Sequence, residues 1–273
     1  MIENIQQLQR QIKERKPLIH CITNPISIHD CANVILAAGG RPIMAEHPVE
    51  VEEITSMAES LMLNLGNITD VRMESMKIAL KTTQKKGIPV LLDLVGVACS
   101  KLRMEYAKEL MKEGAVSILK GNMSEILAIA GEPSHSIGID AGREDAIDSG
   151  NLNRIVKIFR RLSDETGAVI LASGKEDLIV DGEKAYLISN GDPMLSDITG
   201  TGCMLGALCS AYLAAGRDRS TAAAILGTVS MGIAGELAAK DCPGTGTFQV
   251  RLLDCLYGLD EAVLEGKIRI REL

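Results

Sequence analysis

A chain of 273 residues, 46% of them hydrophobic, is long enough to bury a substantial core; with aromatics at only 2% and no Trp, that core must be built from Ile, Leu, Val, Ala and Met. The net charge of -7 and the scarcity of aromatic stacking platforms exclude a nucleic acid or an anionic membrane as partner, since both reward clustered Lys and Arg. Seven cysteines, an odd number without metal-like pairing, read as free thiols in a reducing compartment.

The first residues carry helical spacing and charges instead of the apolar core of a signal peptide, and no uninterrupted apolar run approaches the ~18 residues of a membrane span, so a soluble cytoplasmic protein is expected. Residues 3–15 read as an amphipathic helix, and Pro17 to Thr23 as a short buried strand. Asn24-Pro25 then signals a turn before a helix from His29 to Ala38. Thr23 and Asn24 therefore fall at the carboxyl edge of a strand, where open parallel sheets bind ligands. Asn24 is a ligand contact there or merely an Asx-turn or helix cap. Arg41 to Ala45 is a second strand-like piece, and Met44 at its end is a gap-filling core residue or an apolar pocket wall.

The next strands repeat the pattern. Ser60 to Gly66 is an apolar run with Asn64 and Gly66 at its exit, followed by a helix from Asp70 to Lys86 closed by Gly87. Pro89 to Asp93 is fully apolar until its terminal carboxylate, and Leu94-Val95-Gly96 turns the chain away. Asp93 is a metal ligand or base, or a cap on that turn. Ser117 to Lys120 is a further strand, and Gly121-Asn122-Met-Ser-Glu125 opens a helix. Asn122 and Glu125 form either a variant capping box or, with Lys120 and Asp93, part of a phosphate and metal site. Strands alternating with helical segments and no Pro/Ser/Gly linker indicate one α/β domain over 1–273, with a mostly parallel central sheet and helices on both faces.

Residues 131–150 are polar and are expected at the surface, with His135 there and not in catalysis. His20, His29 and His47 have no partner set that suggests a metal site or triad. Leu152 to Thr166 is a helical stripe, and Ala168 to Ala172 a buried strand with Ser173-Gly174 at its exit. Leu178–Gly182 and Ala185–Ser189 read as an antiparallel hairpin at the sheet edge.

Asp197-Ile-Thr-Gly-Thr-Gly-Cys203 is the stretch richest in chemistry. Gly200 and Gly202 let the backbone approach a ligand, and the apolar run from Cys203 reads as a buried helix that starts there. A glycine turn feeding a helix N-terminus is an anion site, its unpaired N–H groups and the positive end of the dipole facing the bound charge; the plain alternative is a tight turn. Thr221 to Ala239 is a second Ala- and Gly-rich helix. Gly244-x-Gly246 starts the amphipathic helix from Gln249.

The 197–203 heptapeptide resembles the anion-hole motif of ribokinase-like small-molecule kinases, and Cys203, where most of them carry an acidic residue, is similar to the hydroxyethylthiazole kinase family. The resemblance extends through Ile22-Thr23-Asn24, Pro42-Ile-Met44-Ala45, Asp93-Leu-Val-Gly96, Lys120-Gly-Asn122, Gly138-Ile-Asp-Ala-Gly142 and the glycine turn from Pro243, nearly the whole chain. It implies a ribokinase-like three-layer fold and ATP-dependent phosphorylation of the hydroxyl of 4-methyl-5-(2-hydroxyethyl)thiazole in thiamin salvage. Cys203 would be the catalytic group, assisting proton removal from the alcohol, and Thr199, Gly200, Thr201 and Gly202 the anion hole. Asn24, Met44, Gly66 and Gly200 would bind the thiazole, Lys120, Asn122 and Ser173 the ATP, and Asp93 and Glu125 a hydrated Mg²⁺. A homotrimer with sites between subunits is implied as well. Leu94 replaces the family's usual proline, and Lys120 its usual arginine, which turns a forked donor into a point charge. The competing expectations are a kinase for a hydroxymethylpyrimidine, another vitamin or a sugar, and a catalytically silent nucleotide-binding protein.

Overall fold

The computed structural model describes residues 2–136, 138–148 and 150–273. Ile137 and Ser149, both within the polar stretch expected at the surface, lie outside them. Helix α1 (Ile2–Arg15) leads into β1 (Leu18–Ile22), α2 (Ile28–Ala38), β2 (Arg41–Ile43), α3 (Val51–Met57), β3 (Ser60–Asn64), α4 (Asp70–Lys86), β4 (Val90–Asp93), α5 (Lys101–Glu113), β5 (Ile118–Asn122) and α6 (Met123–Ile129). The second half runs α7 (Leu152–Thr166), β6 (Val169–Ser173), β7 (Asp177–Asp181), β8 (Lys184–Ile188), α8 (Thr201–Ala215), α9 (Ser220–Ala239), α10 (Thr245–Tyr257), α11 (Glu261–Lys267) and β9 (Ile270–Glu272).

Among the described residues the strands form one nine-stranded sheet in the order β2-β1-β3-β4-β5-β6-β7-β8-β9. Pairing is parallel from β2 through β6 and antiparallel from β6 to β9. This is the mostly parallel α/β sheet expected from the alternation of apolar runs and helical stripes. The hairpin is β7–β8, but it is not the sheet edge: β9 covers β8, with Tyr186 opposite Glu272. A three-residue strand of alternating charge carries too little hydrophobic signal to be read locally.

Strand periodicity divides the core in two. In β3 and β4, Met62 and Leu91 join Ile118 and Leu171 under α1, α2, α8, α9 and α10, while Leu61, Leu63, Val90 and Leu92 pack with residues of α4, α5, α6 and α7 on the other face. Successive side chains of a strand point to opposite faces, so a two-sided apolar strand must be covered twice. The three-layer arrangement follows.

Helix α8 is buried along nearly its whole length, which is why its sequence is apolar all round. It contacts α1, α2 and α9 on one side and β1, β3 and β4 on the other. Gly206 permits that approach, since a Cβ there would lie 2.8 Å from Met62 Cε and 3.1 Å from Asp93 Oδ2. Helix α9, 20 residues long and apolar enough to cross a membrane by composition, has 83% of its most apolar window buried inside the protein. That burial identifies it as a core helix.

Candidate active site

Register brings four polar residues into one row at the carboxyl ends of the central strands. Ile22 pairs with Leu63, which sets Thr23 beside Asn64; Asn64 pairs with Asp93, and Asp93 with Lys120. Each lies two residues beyond an apolar side chain of the α8 layer, namely Cys21, Met62, Leu91 and Ile118. The period of two therefore turns all four toward the start of α8.

Asp93 is 0% exposed, and Lys120 donates from Nζ to both of its oxygens, at 3.1 and 3.0 Å. Asn64 Nδ2 donates to Asp93 Oδ2 at 3.2 Å, while Asn64 Oδ1 accepts the Gly66 N–H at 2.8 Å. Burial raises the Asp93 carboxyl above its ordinary value, and the Lys120 ammonium opposes it. For Lys120, burial is the largest single influence and acts downward, but the charges around it, Asp93 foremost, together with its hydrogen bond to Asp93, outweigh it, and the amine stays protonated. The phosphate-binding lysine expected from sequence is thus already half of a buried ion pair, with its third N–H left over. Nζ lies 3.5 Å from where a Cβ on Gly202 would sit, directly under the glycine turn.

That turn runs into α8 as a bare helix start. Gly200 precedes α8 with φ at 87°, a left-handed conformation that other residues rarely adopt. The amides of Thr199 to Cys203 donate to no acceptor among the described residues, and no side chain caps the helix. Thr201 spends its hydroxyl on the carbonyl of Leu195, at 2.8 Å, which holds the loop from behind. The helix itself starts at Thr201, two residues before the start expected at Cys203.

Cys203 is buried beside this row. Burial, then the charge of Asp93, raises its thiol pKa; Lys120 and the side chains of Ser27 and Asn64 pull it back. The thiol is therefore neutral at rest, because desolvation outweighs the helix N-terminus that was expected to lower it. Ser27 also lines the turn, its Cβ 3.0 Å from where one on Gly200 would stand.

The residues expected to border a substrate converge in part. A Cβ on Gly66 would lie 2.6 Å from Asn24 Nδ2 and 2.9 Å from Asn64 Oδ1, and Asn67 Nδ2 donates to Asn24 Oδ1 at 3.2 Å. The Asx-turn foreseen for Asn24 is also present, its Oδ1 accepting from Ile26 N. Met44 follows β2, half buried against the α8-side core. Its loop is clamped: His20 Nε2 lies 2.8 Å from the Ala45 carbonyl, and Arg72 Nε 2.7 Å from Glu46. With a carbonyl at Nε2, that nitrogen must carry the proton, and Nδ1 accepts from the Thr55 hydroxyl. His20 is structural.

Asn122 and Glu125 form a complete capping box. Glu125 Oε1 accepts Gly96 N–H and Oε2 accepts Asn122 N–H, each at 2.7 Å. The box that was an alternative to a functional reading is present, and it fixes the Gly96 turn without the family's proline. Burial pushes the Glu125 carboxyl up to about 7. Asn122 also reaches the Ile139 carbonyl with Nδ2, at 2.8 Å, and Ser173 donates to Gly121 O at 3.3 Å beside it.

Direct metal ligation does not fit these carboxylates. Asp93 is committed to Lys120 and Asn64, each Glu125 oxygen holds one amide, and no cluster of three His, Cys, Asp or Glu suited to a metal occurs among the described residues. A hydrated ion fits better, since each Glu125 oxygen keeps a lone pair for a water.

Sequence reasoning overlooked Ser27, Asn64 and Asp177 as site residues. Asn64 ends its strand just as Asp93 ends the next, a signal that only pairing register makes useful. Asp177 stands across from Ser173 at the start of β7, accepts Gly174 N–H at 2.9 Å, and is pushed up to about 7 by burial. A carboxyl raised in the folded state contributes stability that is complete below the unfolded value and lost as pH rises through about 7. Asp177→Asn keeps the acceptor and removes the charge. Thermal melts should show it more stable than wild type at pH 8, by on the order of 1–3 kcal/mol, with the two converging below about pH 4. Parallel pH profiles would contradict this.

The hydroxyethylthiazole kinase family profile matches residues 9–262. Hydroxyethylthiazole kinase 2 of Clostridium botulinum, strain Okra, is 51% identical over 97% of this chain and 98% of its own. The hydroxyethylthiazole kinase of strain Eklund 17B is 38% identical over 99% and 97%. Among solved structures, the hydroxyethylthiazole kinase protein of Pyrococcus horikoshii OT3 superposes with a TM-score of 0.88 at 31% identity, covering 99% of both chains. Staphylococcus aureus pyridoxal kinase in complex with ADP shares the fold alone, at a TM-score of 0.60 and 16% identity over 81% of this chain and 88% of that one. With the profile spanning most of its length and a relative half identical over nearly all of it, the chain belongs to the hydroxyethylthiazole kinase family.

Proposed function

We propose that the protein transfers the γ-phosphoryl group of ATP to the hydroxyl of 4-methyl-5-(2-hydroxyethyl)thiazole, at the glycine turn before α8. The observation that carries this reading is the run of amides from Thr199 to Cys203, unpaired among the described residues, set over the Asp93–Lys120 pair and against Ser27 of the loop that also carries Asn24. Phosphoryl transfer through a loose transition state asks for positioning and for stabilisation of charge on the transferring oxygens. Thr199, Gly200, Thr201 and Gly202 offer backbone donors to those oxygens, and Lys120 offers its remaining N–H. Asn122 and Ser173 lie across β5 and β6 on the nucleotide side.

Asn24, Met44 and Gly66 border the alcohol, and a polarizable thioether wall suits a sulfur heterocycle. Cys203 faces the accepting hydroxyl. In a loose transition state the alcohol keeps its proton until late, so the resting thiol serves to hold the hydroxyl in line, and its small thiolate fraction is the form that can take the proton. Glu125 and Asp93 would hold Mg²⁺ through waters, and the ion would supply neutralisation of phosphate charge.

We read the assembly as a homotrimer with sites between subunits. Exposed apolar residues in the loops carrying Asn24 and Met44, Ile26 at 61% and Val49 at 85%, support a subunit contact beside the pocket. The seven free cysteines support a cytoplasmic location.

ADP release with Mg²⁺, ATP and the thiazole alcohol, against hydroxymethylpyrimidine and sugar controls, tests the activity. Turnover should be confined to the thiazole; preference for a control alcohol, or ATP binding without ADP release, would overturn the reading. Cys203→Ala should lower kcat at least about tenfold, and Cys203→Asp should retain turnover. Full activity in Cys203→Ala would end the proton-accepting role.

A further inference from the structure

We propose that the 138–142 turn is an outer wall of the nucleotide site, facing the base and ribose, and that Asn122 is the positioning residue that hangs it there. The inference rests on the reading of the site given above, in which the ends of β5 and β6 carry the nucleotide. Asn122 and Ser173 are paired at those ends. The Asn122 amide serves two partners. Its Oδ1 accepts from Glu125 N at 2.9 Å, closing the capping box of α6, and its Nδ2 donates to the Ile139 carbonyl at 2.8 Å. Those partners fix which way the amide points, since an N–H requires an acceptor and a carbonyl a donor. The turn is tied a second time at its far end: Gly142 N donates to Ser124 Oγ at 2.9 Å, and Ser124 donates in turn to the buried Asp145 carboxylate. Asp145 also accepts from His135, from its backbone N at 2.7 Å and its Nδ1 at 2.8 Å. Only glycine fits where these limbs cross, because a Cβ on Gly142 would lie 2.0 Å from the His135 carbonyl oxygen.

A polar surface loop can satisfy its backbone with water, yet this one is pinned through Ile139, Gly142 and Asp145 onto the first residues of α6. What it displays beside the β5 end is apolar. Ile139 is 59% exposed, and the neighbouring Asp140 is an exposed carboxylate. A carboxylate repels phosphate groups but accepts from ribose hydroxyls, and a branched alkyl group covers the face of a purine or a sugar. The wall therefore suits the nucleoside, while the phosphates fall to the turn before α8 and to Lys120. Asn122 acts on the nucleotide through this wall.

The test is the dissociation constant of ADP from the full-length enzyme, read by titration calorimetry beside KM for the thiazole alcohol, with a melting temperature for every variant. A serine at the N-cap still accepts the amide of the third helical residue, so Asn122→Ser keeps α6 capped and releases Ile139. It should weaken ADP roughly tenfold with little change in KM for the alcohol. Ile139→Ser, at an exposed position where replacement costs little stability, should weaken ADP about fivefold and leave the binding of inorganic pyrophosphate, which has no nucleoside, as in wild type. In the Asn122→Ser background, Ile139→Ser should cost less than about twofold more, because the wall is already released. Should Asn122→Ser fail to fold, Ser124→Ala, which frees Gly142 instead, takes its place in the cycle. Losses that simply multiply would mean that Asn122 touches the nucleotide itself, and equal weakening of pyrophosphate would put the wall on the phosphates. Either result, or unchanged ADP affinity in the folded variants, would overturn the proposal. Failure of the parent reading looks different: the wild-type enzyme would bind ADP and yet prefer a control alcohol to the thiazole.

Discussion

Lys120→Met is expected to destabilise the protein by about 3–5 kcal/mol, since it strands the fully buried carboxylate of Asp93 without a counter-charge. At roughly 2–4 °C per kcal/mol for a domain of this size, the melting temperature should fall by about 10 °C. The ion pair need not be stabilising in itself, because taking both charges out of water costs about as much as their attraction returns. The double substitution Asp93→Leu with Lys120→Met should therefore recover most of the lost stability. It should not recover turnover, because the cation under the glycine turn would still be missing. Calorimetry of the single and double variants decides this: a Lys120→Met protein that melts with wild type would show that Asp93 is not held as a charge.

Gly200→Ala is expected to lower kcat roughly 10²-fold, the effect of losing one well-placed donor from an anion hole. The backbone there has φ at 87°, which costs a residue with a Cβ roughly 1–2 kcal/mol, and the new methyl would sit 3.0 Å from Ser27 Cβ. The chain escapes both by rotating the peptide before Thr201, and the amides then no longer converge. Stability should fall by no more than that strain, since the turn is at the surface of α8 and the core beneath it is untouched. Single-turnover phosphorylation compared with the melting temperature separates the two effects. A variant with unchanged turnover would remove the glycine turn from the mechanism.

These two substitutions also differ in how they could have been foreseen. Gly200 was legible in the sequence as part of a glycine turn running into an apolar helix, a pattern that a plain tight turn shares and that the family resemblance turned toward anion binding. The stretch lies within seven consecutive residues, so its geometry is local. Lys120 and Asp93 each stood out at a strand end, but as separate candidates, one for phosphate and one for metal. Their pairing depends on β4 and β5 being neighbours in a particular register across 27 residues, information no local pattern contains.

The same division holds elsewhere. Apolar runs and helical stripes were enough to read the parallel strands, most of the helices between them and the hairpin, because burial writes these patterns directly into the residues; α5, between β4 and β5, was not read. The short α3, α11 and β9 left no such mark, being stabilised by what they pack on; β9 covers an edge that the hairpin was expected to form. Asn122 and Glu125 were legible as a cap because three residues suffice to make one. By itself, then, the sequence determined the α/β architecture, the glycine turn leading into an apolar helix and the polar residue at each strand end, all features set by neighbours along the chain. Only the tertiary structure decided that Asp93 neutralises Lys120, that Asn64 bridges Gly66 to the carboxylate beside Cys203, and that this thiol is neutral at rest. Those outcomes depend on sheet register and on the removal of water, and both arise only when distant segments close over one another.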